Sequence, residues 1–197
     1  MPDLRPAAVV GLQTPLGELL VGASDDGVVA AGFEQGPFLE ELNSHGYEAV
    51  LMGASRTATD VAEAARTELA EYFERRRTHF QVPIHLENRT AFGRAVLKEV
   101  ATEVPFATTV SYGEVGERAG RMRAGRAVGN IMATCPFSVI VPCHRVVHST
   151  HASIAPHSRK AWLLRFEREV AGLHPERRTS KAVPLEDILA SPRSTGR

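Results

Sequence analysis

Cys143 and His144 stand side by side in the run Pro142-Cys143-His144-Arg145-Val146. A cysteine attacks as the thiolate, and an ordinary thiol with a pKa near 8.5 is only a few per cent ionised at pH 7. An imidazole raises that fraction directly or through a water, and a carboxylate behind the imidazole fixes its tautomer. Neighbouring side chains need not meet, so a bridging water suits this pair. The chemistry on offer is nucleophilic transfer to sulfur; the plain alternative is a structural cysteine beside a surface histidine. His148, His151 and His157 follow within residues 148–159. Their spacing is open to a metal or pH-sensitive site, or to an exposed loop that merely contains histidines.

Composition narrows what can surround this pair. The chain has 197 residues, 43% of them hydrophobic and 23% charged, as in ordinary globular proteins. Its two cysteines, Cys135 and Cys143, exclude a disulfide scaffold and a four-cysteine zinc site. No apolar run approaches the roughly 20 residues of a membrane span. No basic-then-apolar leader opens the chain, so the expected address is the cytoplasm, away from membranes. Zero net charge hides an asymmetry: residues 1–90 carry −7, whereas 111–170 carry +5. A basic segment of this kind can bind a polyanion although the whole chain is neutral.

The elements that must position Cys143 are partly legible. Val9–Leu12 and Glu18–Val21 flank the turn signal Thr14-Pro15-Leu16-Gly17. Asp26-Gly27 then leads into Val28–Phe33, a hairpin cue. Residues 34–58 carry no usable periodicity. Asp60 is the expected cap of a helix to about Arg76, with Val61, Ala65, Leu69, Tyr72 and Phe73 on one face. Residues 77–90 read as a connector. Thr90 caps a helix carrying Phe92, Val96, Val100 and Val104, and Pro105 ends it. Ser111 with Glu114 forms a capping box. The short helix it opens and a second over about 124–132 make a helix-turn-helix. Gly125 and Gly129 weaken the second helix, so close approach to another backbone or tight helix packing must favour its small residues. Residues 160–169 form a last helix, and Pro175, Pro184 and Pro192 mark a loosely attached tail from 171.

These readings give an α+β protein. Residues 1–88 form a small N-terminal sheet-plus-helix domain. Residues 89–170 form a mainly helical C-terminal domain with the helix-turn-helix, and 171–197 form the tail.

Pro142-Cys143-His144-Arg145-Val146 resembles the active-site signature of the O6-alkylguanine-DNA alkyltransferases, the methylated-DNA–protein-cysteine methyltransferases. Val110-Ser111-Tyr112-Gly113 resembles the start of that family's helix-turn-helix, and Arg126-Ala127-Val128-Gly129 its recognition helix. Lys160-Ala161-Trp162-Leu163-Leu164 with Glu167 resembles its final core helix. Thr14–Gly17, Glu71-Tyr72-Phe73 and Phe92 fit its two-part layout, so the resemblance spans about residues 7–170.

The resemblance implies DNA repair by single-turnover, irreversible transfer of an alkyl group from O6-alkylguanine in double-stranded DNA to a cysteine. No cofactor or metal is implied, and a monomer is expected. The implied catalytic residues are Cys143 as nucleophile, His144 as base through water, Glu167 behind it, and Tyr112 at guanine N3. Arg126, Ala127, Gly129, Ser111 and Arg145 are implied on DNA, with Arg126 filling the gap left by the flipped base. Pro142, Val146, Ser153 and Ile154 are implied around the substrate, where the carbonyls of Cys143 and Val146 receive the guanine amine.

Two departures stand out. The family's Asn-Pro before the active site is Cys135-Pro136 here, and a thiol cannot reproduce an amide's paired hydrogen bonds, so a looser link is expected. Residues 148–159 lack the glycines and tyrosine of the family loop that closes over guanine. That loop leaves two further readings: cysteine-based transfer from a small metabolite, or lesion binding without chemistry. Some family members bind zinc near the N-terminus, but no cysteine precedes position 135, so none is expected here.

Overall fold

Thr14 and Gly17 make the first turn. The Thr14 hydroxyl donates to the Gly17 carbonyl and accepts from the Leu16 N–H, while Gly17 takes φ +104°. The turn joins β1 (Arg5–Thr14) to β2 (Gly17–Ser24), and a second reversal at Asp25-Asp26 leads to β3 (Gly27–Gly32). The computed structural model describes residues 4–87, 89–149 and 154–173.

Both pairings are antiparallel. A fourth strand, β4 (Tyr47–Val50), lies parallel to β1, giving the order β3-β2-β1-β4. Helix α1 (Gln35–Ser44) connects β3 to β4, burying Phe38 and Leu42. Helix α2 (Arg56–Phe73) packs on β1 and β2 through Ala58, Ala62, Ala65, Leu69 and Tyr72. α2 starts a turn before Asp60, because the Ser55 hydroxyl accepts from the Ala58 N–H and caps it there. The connector then runs back along β3. Val28 donates to the Pro83 carbonyl and accepts from the His85 N–H. A Cβ on Gly27 would lie 2.7 Å from the Pro83 carbonyl oxygen, so the connector needs a glycine there.

Helix α3 (Ala91–Glu103) is capped by Thr90. β5 (Val110–Ser111) leads directly into α4 (Tyr112–Arg118), opened by the expected capping box. α5 (Gly125–Ala133) completes the helix-turn-helix. Gly116 permits the tight turn, since a Cβ there would stand 3.1 Å from that of Ala124. A short 3-10 turn, Cys143–Arg145, precedes β6 (Val146–Val147), which pairs parallel with β5. Helix α6 (Arg159–Val170) closes the fold, capped by Ser158.

The two halves share one core. Leu19, Val21, Ala31, Leu69 and Tyr72 pack in the same apolar cluster as Val96, Val100, Phe137, Val141, Leu163 and Phe166. Residues 136–138 also add to the open edge of β3: Ala31 donates to the Pro136 carbonyl at 2.6 Å, and Ser138 donates to the Ala31 carbonyl at 3.0 Å. The segment leading to Cys143 is therefore tied to the N-terminal sheet by backbone bonds. Residues 174–197 of the expected tail lie outside the described residues. No described helix is long and apolar enough to cross a membrane.

Candidate active site

Glu167 on α6 is fully buried. A bare carboxylate there would be very costly, so donors must converge on it. Tyr72 on α2 donates to Oε1 at 2.9 Å, and the Ala107 N–H donates to Oε2 at 3.0 Å. Arg145 reaches both oxygens, through Nε at 3.0 Å and Nη2 at 2.9 Å, and its Nη1 donates to the Val104 carbonyl. His144 Nε2 lies 2.8 Å from Oε1. Burial alone would raise the Glu167 pKa; the contacts with His144 and Arg145 outweigh it and bring the value down to about 2.

An ionised carboxylate only accepts, so His144 carries its hydrogen on Nε2. Nδ1 is then an acceptor, and it is buried with no protein partner. Burial holds the imidazole pKa below its ordinary value, against the pull of Glu167. His144 is therefore neutral near pH 7 and able to take a proton at Nδ1.

Cys143 sits on the wall of a cavity of about 630 Å³, a size suited to a small organic group. Tyr112, Gly129, Met132, Cys135 and Lys160 share that wall, with Phe33 and Phe38 contributed by the N-terminal half. The neighbouring Cys135 thiol is the largest influence lowering the Cys143 pKa. Burial opposes it, while the Lys160 ammonium and the backbone N–H groups of Cys143 and His144 add to it. Cys135 moves the other way, well up, through the neighbouring Cys143 and its own burial. Of the two thiols Cys143 therefore ionises first, because the cation and the backbone donors face it, and Cys135 keeps its proton. Burial and the Cys143 charge raise the Tyr112 pKa, so its phenol remains a donor. Val139, also on the wall, holds φ +71°, an unfavourable conformation for a β-branched residue.

The expected site residues are only partly brought together. Cys143, His144 and Tyr112 line the cavity, with Glu167 behind His144. Arg126 is exposed on α5, and Arg118, Arg121 and Arg123 are exposed beside it. Nothing lies within 4 Å of a Cβ built on Gly129, so no intramolecular contact demands that glycine. A Cβ on Gly125 would make only ordinary contact with Gly113, and Ala127 is half-buried. The Ser111 hydroxyl accepts from the Glu114 N–H and serves the helix cap.

Arg145 corrects an expectation. It is 5% exposed and bound to Glu167, because the buried carboxylate needs a permanent countercharge, so its guanidinium is not presented to DNA. Among the expected substrate contacts, Pro142 and Val146 are buried off the cavity wall, and Ile154 packs with Val147 and Leu164. The Val146 carbonyl accepts from Lys160 Nζ and retains a second lone pair. Ser153 and His151 lie outside the described residues. His148 is exposed with its ring 6.2 Å from that of Tyr112, and His157 is exposed. Among the described residues no three His, Cys, Asp or Glu side chains are grouped to hold a metal.

Sequence reasoning missed Tyr72 as a partner of Glu167, Cys135 as a partner of Cys143, and Lys160 as the cation near the sulfur. Lys160 and Cys135 stood within quoted motifs, but nothing local showed where their side chains would meet.

Comparison with known proteins adds independent findings. A family model described as "6-O-methylguanine DNA methyltransferase, ribonuclease-like domain" matches residues 11–86. A second, "6-O-methylguanine DNA methyltransferase, DNA binding domain", matches residues 91–169. A "Probable methylated-DNA--protein-cysteine methyltransferase" of Acanthamoeba polyphaga mimivirus is 35% identical over 104 residues, covering 51% of this chain and 68% of the relative. The crystal structure of the Mycobacterium tuberculosis O6-methylguanine methyltransferase superposes with a TM-score of 0.66 at 28% identity, over 83% of this chain and 93% of that one. A structure of the same organism's protein in complex with DNA gives 0.65 at 26% identity, covering 83% and 94%.

Proposed function

The chain belongs to the 6-O-methylguanine DNA methyltransferase family, and from that premise we propose that Cys143 is its alkyl acceptor. The protein repairs DNA by moving the alkyl group of an O6-alkylguanine directly onto a cysteine. The observation that carries the assignment is the setting of Cys143, a sulfur held towards thiolate on the wall of an open cavity bordered by α5.

A stacked base hides its O6 substituent, so the nucleotide must leave the duplex at a cost of a few kcal/mol. Arg126, exposed on α5, fills the gap, and the small Ala127 and Gly129 let the helix approach the minor groove. Arg118, Arg121 and Arg123 neutralise phosphates, so binding is salt-dependent and largely indifferent to sequence. The flipped guanine enters the cavity, where Tyr112, Cys143 and Lys160 line the wall.

The Cys143 sulfur then attacks the alkyl carbon in line. A carbon–sulfur bond forms, the carbon–oxygen bond breaks, and the electron pair passes to guanine O6. Tyr112 donates to N3, so the leaving group is not a bare anion. The thiol proton is taken through water by His144 Nδ1, and Glu167 stabilises the imidazolium. Lys160 and Cys135 favour the thiolate before substrate arrives. The thioether has no easy hydrolysis route, which makes the reaction stoichiometric and free of any cofactor. Residues 1–88 and 89–170 are two units in this reading, and one chain supplies the whole site, in keeping with a cytoplasmic monomer.

The test is incubation with a duplex containing O6-methylguanine, followed by intact mass and peptide mapping. The expected result is one added CH₂ on Cys143, none in Cys143→Ala, and slowed transfer in Arg126→Ala. No gain, with Cys143 still reactive to a small alkylating reagent, overturns the assignment in favour of a small-molecule substrate.

A further inference from the structure

We propose that Cys135 and Cys143 are a peroxide-responsive dithiol, closing to an intramolecular disulfide that reversibly masks the alkyl acceptor. Both thiols are free and partly accessible, and both open onto the same cavity. They stand close enough on that wall to perturb each other's ionisation, so the gap a disulfide must close is short. They come from different elements. Cys143 begins the 3-10 turn, and Cys135 lies between the end of α5 and Pro136. The Cys135 N–H makes only a long 3.4 Å bond to the Met132 carbonyl, so the backbone on its α5 side is lightly held. On the other side the Pro136 carbonyl is tied to the edge of β3. Any adjustment that closure needs therefore falls on residues 134–135 rather than on the sheet.

The two sulfurs have complementary chemistry. Oxidation by peroxide follows thiolate character and access, and Cys143 has both. Its thiolate attacks one oxygen of hydrogen peroxide, the O–O bond breaks, and the products are the Cys143 sulfenic acid and hydroxide. Cys135, which keeps its proton, is the resolving thiol. Its sulfur attacks the sulfenic sulfur, the S–O bond breaks, and the departing oxygen leaves as water with the thiol proton. The peroxide is reduced and the two thiols are oxidised to one disulfide. A small oxidant fits a cavity of about 630 Å³ with no DNA present.

The consequence follows from single use. A cysteine that accepts one alkyl group and is then spent gains nothing from sulfinic acid, which is irreversible. A disulfide with Cys135 halts oxidation one step earlier, and a dithiol reductant restores the acceptor. This consequence rests on the alkyl-transfer reading; the disulfide itself does not.

The full chain, reduced and then treated with hydrogen peroxide, tests both parts. Intact mass is expected to fall by two hydrogens, with a peptide joining Cys135 to Cys143, and dithiothreitol is expected to reverse both changes. Cys135→Ser is expected to give one to three added oxygens on Cys143 instead, largely resistant to reduction beyond the first. Wild-type protein that accumulates oxygens on Cys143 while Cys135 stays free overturns the proposal. So does a disulfide that joins two chains, and both outcomes are read on the wild type even if the variant fails to fold. The oxidised protein is then expected to take no methyl from an O6-methylguanine duplex and to regain uptake after reduction. Uptake by the disulfide form overturns the masking, whereas a reduced form that never takes a methyl overturns the functional reading and leaves the mass result to decide the disulfide.

Discussion

The two ends of the site are built by opposite rules. Glu167 lies in the buried interior and is held by Tyr72, Ala107, Arg145 and His144 from three different segments. Cys143 faces a cavity and is held towards the thiolate by a neighbouring thiol, one ammonium and nearby backbone N–H groups. A hard carboxylate must be surrounded by donors before burial is tolerable. A soft sulfur needs fewer, and a reacting sulfur must remain within reach of its substrate. The rigid end fixes the direction of the His144 ring, and the open end leaves room for a base.

Breaking the rigid end should have the largest effect. Glu167→Gln leaves Arg145 buried without its countercharge, and a loss of about 3–5 kcal/mol in denaturant unfolding is expected. Acid should weaken the same end in two stages. Both His144 and Glu167 have folded pKa values below their ordinary ones, so the unfolded chain binds more protons and stability drops as the pH is lowered. Decline should begin below pH 6.5 through His144. It should steepen between 4.5 and about 2 through Glu167, as followed by melting temperature.

Tyr72→Phe removes one donor to a charged group and should cost about 2 kcal/mol. It should leave the fold intact, because Arg145 remains. At the open end, Cys135→Ala should scarcely change stability but should shift the pH profile of Cys143 alkylation upward and slow it several-fold at pH 7. An unchanged profile would assign the thiolate to Lys160 and the backbone N–H groups instead.

What could be read in advance was local. The Thr90 cap, the Ser111–Glu114 capping box and the hairpin turn at Thr14–Gly17 involve residues within a few positions of each other. α1 and β4 were not legible. α1 opens with Gly36 and Pro37 and buries only Phe38 and Leu42, and β4 has four residues, too few for a period to declare itself. The first turn of α2 has no strong apolar signal, because its buried residue there is the small Ala58.

The sequence by itself singled out Cys143 and His144 as candidates for nucleophile and base, and determined the helix-turn-helix and the basic character of the half that contains them. All of these follow from residue types and short spacings. Only the tertiary structure decided that Arg145 turns inward, that Tyr72 reaches Glu167 from 95 residues away, and that Cys135 meets Cys143 across a cavity. The physical reason is that a buried charge takes its partners from whichever elements packing brings near. That choice is made by the shared core and by the pairing of residues 136–138 with the sheet edge, neither of which any local stretch of the chain encodes.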